Sequence, residues 1–128
     1  MTYADYKSQQ VDTDDLKLFF AFSIKQFDEG LAGINKKFNT NLEVKDLVAS
    51  IGGMVGVKED ISEFFRRINE KNKKIPELFS AQDVYDYEFG NHECDYVCDD
   101  KEAINIVVEF FGTGLAKKVK RKYGYAEI

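Results

Sequence analysis

The spacing of hydrophobic residues changes several times along the chain, and each change marks an element. Thr2–Gln10 is polar with Tyr3, Ala4 and Tyr6 interspersed, which predicts a short helix capped by Thr2. Asp12–Asp15 follows as an acidic turn. Leu16–Phe22, reading L-K-L-F-F-A-F, is short, apolar and aromatic, and reads as a buried strand. Ser23 then opens S-I-K-Q, a capping box, ahead of a helix whose Ile24, Phe27, Leu31 and Ile34 follow helical spacing. Gly30 and Gly33 weaken its last turns. Asn35–Asn41 is a polar connection, and a strand is expected near Leu47–Ile51. Gly52, Gly53 and Gly56 mark a tight turn or bulge before the next element.

In the second half, Asp60-Ile-Ser-Glu63 is another cap signature. Ile61, Phe64, Phe65 and Ile68 make the cleanest amphipathic stripe in the chain. Arg66, Arg67, Lys71, Lys73 and Lys74 at its end suit the negative pole of the helix dipole. Pro76 fits the first turn of a helix running to about Phe89, with Leu78, Ala81, Tyr85 and Phe89 on one face. Gly90-Asn91 breaks it, and Cys94–Cys98 alternates as a half-buried strand does. Asp99 or Asp100 caps a helix carrying Ile104, Val107, Val108 and Phe111, which Gly112 and Gly114 end. Leu115–Tyr123 reads as a basic final helix. The expectation is a single α+β domain over residues 1–128, with about four to six helices on a small, mostly antiparallel sheet of about three strands.

Composition narrows the functional classes. An apolar fraction of 44% argues against disorder, and 128 residues suit one core. The aromatic residues are 11 Phe and 7 Tyr with no Trp, side chains that fill cores or anchor protein interfaces. A net charge of −5 argues against nucleic-acid binding, which needs a basic footprint, and favours basic partners. The longest apolar runs fall short of the roughly 20 residues that span a bilayer. Met1–Ser8 lacks the charged-then-apolar pattern of a leader, so a soluble, cytoplasmic protein without membrane contact is expected.

Taken together, several landmarks resemble a known family. An N-terminal T-Y helix ending in Gln9-Gln10 precedes the F-F-A-F strand, which leads into Q-F-D-E-G (Gln26 to Gly30). A Gly-Gly turn follows a short strand. Then come Tyr87-Glu-Phe, Asn91-His-Glu-Cys and Tyr96, shortly before an Asp-capped helix. This order resembles a family of small uncharacterised proteins of bacteriophages and mobile elements of gut bacteria. The resemblance implies a phage-related origin, one α+β domain and residence in the bacterial host cytosol. It carries no activity with it. Met54-Val55 and the basic tail depart from the pattern.

Candidate chemistry concentrates in Val84–Asp100, which holds the only histidine and both cysteines. His92, Cys94, Cys98 and Asp99 offer zinc-type ligands, but their spacing is not that of a zinc finger and no second histidine exists. A histidine beside Asn91 at a helix end also serves to hydrogen-bond backbone and fix a turn. Cys94 and His92, two apart on a strand, share a face as a thiol–base pair would, yet Glu93 and Asp95 raise a thiol pKa. In a strand the α-carbons of Cys94 and Cys98 lie about 13 Å apart, at about 3.3 Å per residue, beyond disulfide reach. Reduced thiols are expected. Ser50–Gly56 evokes a phosphate-cradling loop but lacks the Gly-Lys-Ser/Thr ending. Asp83, Asp86, Glu88, Glu93, Asp95, Asp99, Asp100 and Glu102 form either solvated surface, an acid–base pair in a cleft, or an acidic binding face.

The reading that results is a non-enzymatic accessory protein that binds a protein partner, a monomer or small homo-oligomer without cofactor or metal. It interferes with a host factor or defence complex through an acidic and aromatic surface. The contact residues expected are Tyr87, Glu88, His92, Glu93, Asp95, Tyr96, Asp99 and Asp100. Two alternatives stand beside it. One is a small metal- or thiol-dependent enzyme centred on His92, Cys94 and Cys98. The other is nucleic-acid association through Lys117–Lys122 and Arg66–Lys74.

Overall fold

A computed structural model describes residues 1–123. It is an α+β structure, with short helices and one antiparallel three-stranded sheet. Packing divides the described residues into two compact units: Val11–Asn69, and residues 1–10 together with residues 70–123.

In Val11–Asn69, β1 (Leu18–Phe20), β2 (Val48–Ala49) and β3 (Met54–Gly56) lie in the order β1-β3-β2. Leu18 is opposite Gly56 and Phe20 opposite Met54, and all three β3 residues are buried. β3 takes the centre because Gly52 and Gly53, at φ of 69° and 78°, turn the chain back after β2 in a conformation few other residues adopt. The glycine stretch is thus a strand-to-strand turn, and Gly56 lies inside the strand. Leu16–Phe22 forms a shorter strand than its pattern predicts. It is also not buried throughout: Phe20 and Phe22 are exposed, so the aromatic run has an outward side.

The helix α2 (Ile24–Phe38) starts at Ser23, whose hydroxyl accepts the Gln26 N–H at 3.2 Å. The Gln26 carboxamide accepts from Phe22 N–H at 2.7 Å, one residue ahead of the expected cap. Asn35 lies within α2 and is not part of a connection. Its side chain accepts from Leu42 N–H and donates to Leu42 O, at 2.8 and 3.0 Å, and so shapes the loop that follows. The helix α3 (Lys58–Lys73) begins two residues before the predicted cap, because the Asp60 carboxylate accepts the Lys17 N–H at 2.8 Å instead of capping its own helix. Arg67 makes a bidentate pair with Asp15 at 2.8 and 2.7 Å and reaches Glu63 at 3.1 Å.

The second unit begins with α1 (Tyr3–Ser8), closed by a Thr2–Asp5 capping box. The predicted helix from Pro76 to Phe89 is instead two. Ser80 adopts an extended conformation and caps with Asp83, separating α4 (Ile75–Leu78) from α5 (Ala81–Asn91). Gly90 does not end α5, which runs on to Asn91. The expected strand at Cys94–Cys98 is a single helical turn, α6 (Cys94–Val97), held between Glu93 and Cys98 in the left-handed conformation. Side-chain alternation misled there, because a turn anchored only by Cys94 also leaves its other residues outside. α7 (Lys101–Phe111) buries Ile104 and Val107 of the predicted stripe, leaves Val108 and Phe111 half-buried, and buries Ala103 beside them. The basic final helix is cut to α8 (Thr113–Ala116), and residues 117–123 continue as irregular chain. Tyr3, Tyr6, Val84, Tyr85, Ile104 and Val107 lie in the core of this unit.

Candidate functional site

The acidic motif resolves into two buried carboxylates, both in the unit of residues 1–10 and 70–123. The capping box of Ser80 and Asp83 sets the start of α5, and helical spacing then puts Tyr85, Glu88 and His92 on neighbouring turns. Glu88 and Asp100 are fully buried. Each is surrounded by donors that the sequence scatters far away.

Glu88 accepts from the Tyr3 hydroxyl at 3.0 Å and from the Lys7 ammonium at 2.5 Å through one oxygen. Its other oxygen lies 3.0 Å from His92 Nε2. His92 Nδ1 is 3.2 Å from Glu102, so each ring nitrogen faces a carboxylate. Lys7 also sits 5.4 Å over the Tyr87 ring, and Tyr87 packs edge-on against Tyr3 at 5.3 Å. Burial, then the negative charge of Glu88, lifts the Tyr3 phenol well above its ordinary range. A cleft of about 240 Å³ adjoins this cluster, lined by Tyr3, Tyr6, Lys7, Lys71, Glu88 and Glu109 among others. Lys71 is held below the usual ammonium range by burial, and its amine donates to Gln9 O.

Asp100 occupies the N-cap position of α7 but does not cap it; Asp99 does so, accepting the Lys101 N–H at 2.9 Å. The Asp100 carboxylate takes a bidentate pair from Arg121 at 2.8 and 2.5 Å and a hydrogen bond from Tyr85 at 2.8 Å. Burial alone raises a carboxyl pKa, but the Arg121 and Tyr85 hydrogen bonds outweigh it and hold Asp100 below the ordinary carboxylate range. The Tyr85 phenol is pushed up to about 12, by burial first and by Asp100 as its partner.

The expected contact residues therefore fall into separate places. Tyr87, Glu88 and His92 gather around Glu88. Asp95 pairs with Lys122 and accepts from the Tyr123 hydroxyl at 3.2 Å. Glu93 and Tyr96 point outward on the α6 turn, with Tyr96 87% exposed. Cys94 is buried, which raises its thiol pKa, while Cys98 is exposed; both are free. Because the turn is helical, the strand spacing proposed for the two thiols does not apply. Among the described residues no group of three or more His, Cys, Asp or Glu side chains is placed to hold a metal ion, and every buried side-chain N or O has a partner. No described helix is long and apolar enough to cross a membrane.

Tyr3 and Lys7 are partners that the sequence did not single out, while Tyr85 was read only as part of an apolar helix face and Arg121 only as part of a basic stretch. Tyr85 had a signal, lying three residues before Glu88 on a helix whose apolar face runs past both.

In Val11–Asn69 the feature that stands out is apolar. Phe22, Ile24 and Ile51 are 78%, 83% and 80% exposed, and Phe20 adds a half-exposed ring. The β1–β3–β2 register brings the end of β1 and the end of β2 to the start of β3, so these residues share one end of the sheet. The Phe22 ring lies over Gly53, close enough that a Cβ there would meet it at 2.6 Å. A shallow cavity of about 380 Å³ opens there, lined by Ala21, Phe22, Ser23, Ile24, Phe27 and Val55.

The fold and its saturated buried carboxylates define a small α+β protein with an exposed apolar sheet end. A family model matches residues 3–123, and the chain belongs to that family, described as a family of unknown function (DUF7659). Comparison with curated proteins and with solved structures finds no match.

Proposed function

We propose that this is a non-enzymatic accessory protein of phages or mobile genetic elements that binds a protein of the bacterial host, such as a factor or complex in defence. The observation that carries this reading is the sheet end formed by Phe20, Phe22, Ile24 and Ile51. Several large apolar side chains this exposed at one end of a sheet are uncommon on a protein surface that meets only water. The polar chemistry of the motif region points the same way, since Glu88 and Asp100 are buried and spend their oxygens on internal donors.

The occupant that fits is an apolar patch of the partner with an uncharged surround. The charges that flank the sheet end in sequence are paired with one another, Lys25 with Glu29 and Lys45 with Glu43. Binding of this kind tolerates salt, because it rests on apolar area and not on exposed ion pairs. The phage setting comes from the resemblance of the F-F-A-F, Q-F-D-E-G and Tyr87–Tyr96 segments.

The test uses the full chain as bait in host lysate, beside the double variant Phe22→Ser, Ile24→Ser. The reading expects one stoichiometric partner retained at high salt and bound about thirtyfold more weakly by the variant. Equal binding by the variant, or capture that moderate salt abolishes, counts against it.

A further inference from the structure

Residues 119–123 lie along α5 and α6 and are held there in a way that resembles a bound peptide more than an element of the fold. The Gln82 carboxamide accepts from Lys120 N–H at 2.7 Å and donates to Lys120 O at 3.2 Å, gripping the backbone of one residue on both sides of its α-carbon. Two residues on, the Tyr85 hydroxyl accepts from Lys122 N–H at 2.9 Å. Both contacts address backbone, so they read the path of the chain whatever its side chains.

Side chains supply the selectivity. Arg121 reaches inward to the buried Asp100, Lys122 pairs with Asp95, and the Tyr123 ring stacks on Phe89 with centroids 6.0 Å apart and planes within 17°. Backbone hydrogen bonds that fix register, combined with contacts to particular side chains, are a way peptides are recognised. A cavity of about 540 Å³ lies beside the segment, lined by Gln82, Tyr85, Asp86 and Phe89 as well as by Lys120–Lys122.

We propose that this face of α5 and α6 is a binding site for a basic peptide of another protein bearing Arg-Lys-aromatic, and that the chain's own segment occupies it as a competing ligand. The partner's arginine takes the place of Arg121 on Asp100, and its aromatic ring that of Tyr123 on Phe89. Displacement never strands Asp100, because one guanidinium replaces another. A segment tethered in cis acts at an effective concentration of about millimolar, so free peptide binds the intact protein weakly.

The probe is a fluorescent synthetic peptide, K-K-V-K-R-K-Y, titrated into the full chain and into the double variant Lys122→Ala, Tyr123→Ala. That variant loosens the outer contacts of the cis segment and keeps Arg121 on Asp100. It is expected to bind the peptide about tenfold more tightly than the wild-type protein does. A peptide with alanine for arginine should bind neither. In the wild-type protein, excess peptide should also speed hydrogen exchange at the Lys120 and Lys122 amides. Equal affinity for both proteins, no binding to either, or amide exchange unmoved at saturating peptide each overturns the proposal. So does a concentration-dependent dimer that ignores the peptide, since the face then serves a second copy of this chain. If the double variant does not fold, the exchange measurement on the wild-type protein decides alone.

Discussion

Tyr3 and Glu88, 85 positions apart, are joined by a 3.0 Å hydrogen bond from the phenol to a carboxylate that solvent does not reach. With Lys7 on the same carboxylate oxygen, this contact ties α1 to α5 through a buried charge and its counter-charge. Removing one member of such a set costs far more than the set contributes net, because the remaining groups stay buried and lose their partner. Glu88→Ala is expected to lower unfolding free energy by about 3 kcal/mol and Tyr3→Phe by about 1 kcal/mol, both read by urea denaturation. Wild-type stability in Glu88→Ala contradicts the structural role given to this carboxylate.

Asp100 and Tyr85 make stability depend on pH at both extremes. The folded pKa of Asp100 lies below its unfolded value of about 3.9, so its contribution is present above about pH 4 and is lost as pH falls through the folded value. Tyr85 is the opposite case. Its folded pKa of about 12 lies above the unfolded value of about 10, so stability is full below pH 10 and is lost as pH rises towards 12. Asp100→Asn should flatten the acid limb, and Tyr85→Phe the alkaline one. Circular dichroism across pH measures the first, and tyrosinate absorbance with unfolding the second.

The two thiols should react at very different rates. Cys98 is exposed, whereas Cys94 is buried with its thiol pushed up by burial. A maleimide or iodoacetamide is expected to label the native protein once, at Cys98, and Cys94 only in denaturant. Mass spectrometry of Cys98→Ser then shows an unlabelled native protein. Rapid native labelling of that variant would falsify the buried, structural assignment of Cys94.

Two glycines of α2 should respond in opposite directions to the same substitution. A Cβ on Gly30 would clash with the Phe19 ring, so the ring must move and Gly30→Ala should destabilise by about 1–3 kcal/mol. Gly33 has nothing within 4 Å, and Gly33→Ala should be neutral or stabilising by up to about 1 kcal/mol through helix propensity. Thermal denaturation of the two variants gives the sign of each.

The parts of the fold that could be read from sequence are those whose cause is local. Thr2, Ser23 and the Ile104–Val107 stripe each act within a few residues, and each lies where its pattern puts it. The failures share a different physics. Ser80 overrides a continuous apolar face by capping a new helix, and Asp60 gives up its cap to bond a distant backbone N–H. Cys94–Cys98 is too short for period two to be told from one helical turn. The candidate site was half visible. Glu88, His92 and Asp100 stood out as chemistry, but their partners Tyr3, Lys7 and Arg121 come from the ends of the chain, where nothing in a single sequence announces a long-range pair. The run of carboxylates also concealed that two of them point inward.

The most direct measurement is site-resolved photocrosslinking in the bacterial host, with a photoreactive side chain at Ile24 on the apolar sheet end and, in a second protein, at Tyr96. Both positions are exposed, so accessibility alone does not separate them. The account predicts one protein crosslinked in high yield from position 24 and background from position 96. Crosslinking from 96 alone, or from neither, contradicts it and moves the binding surface away from Phe22 and Ile24.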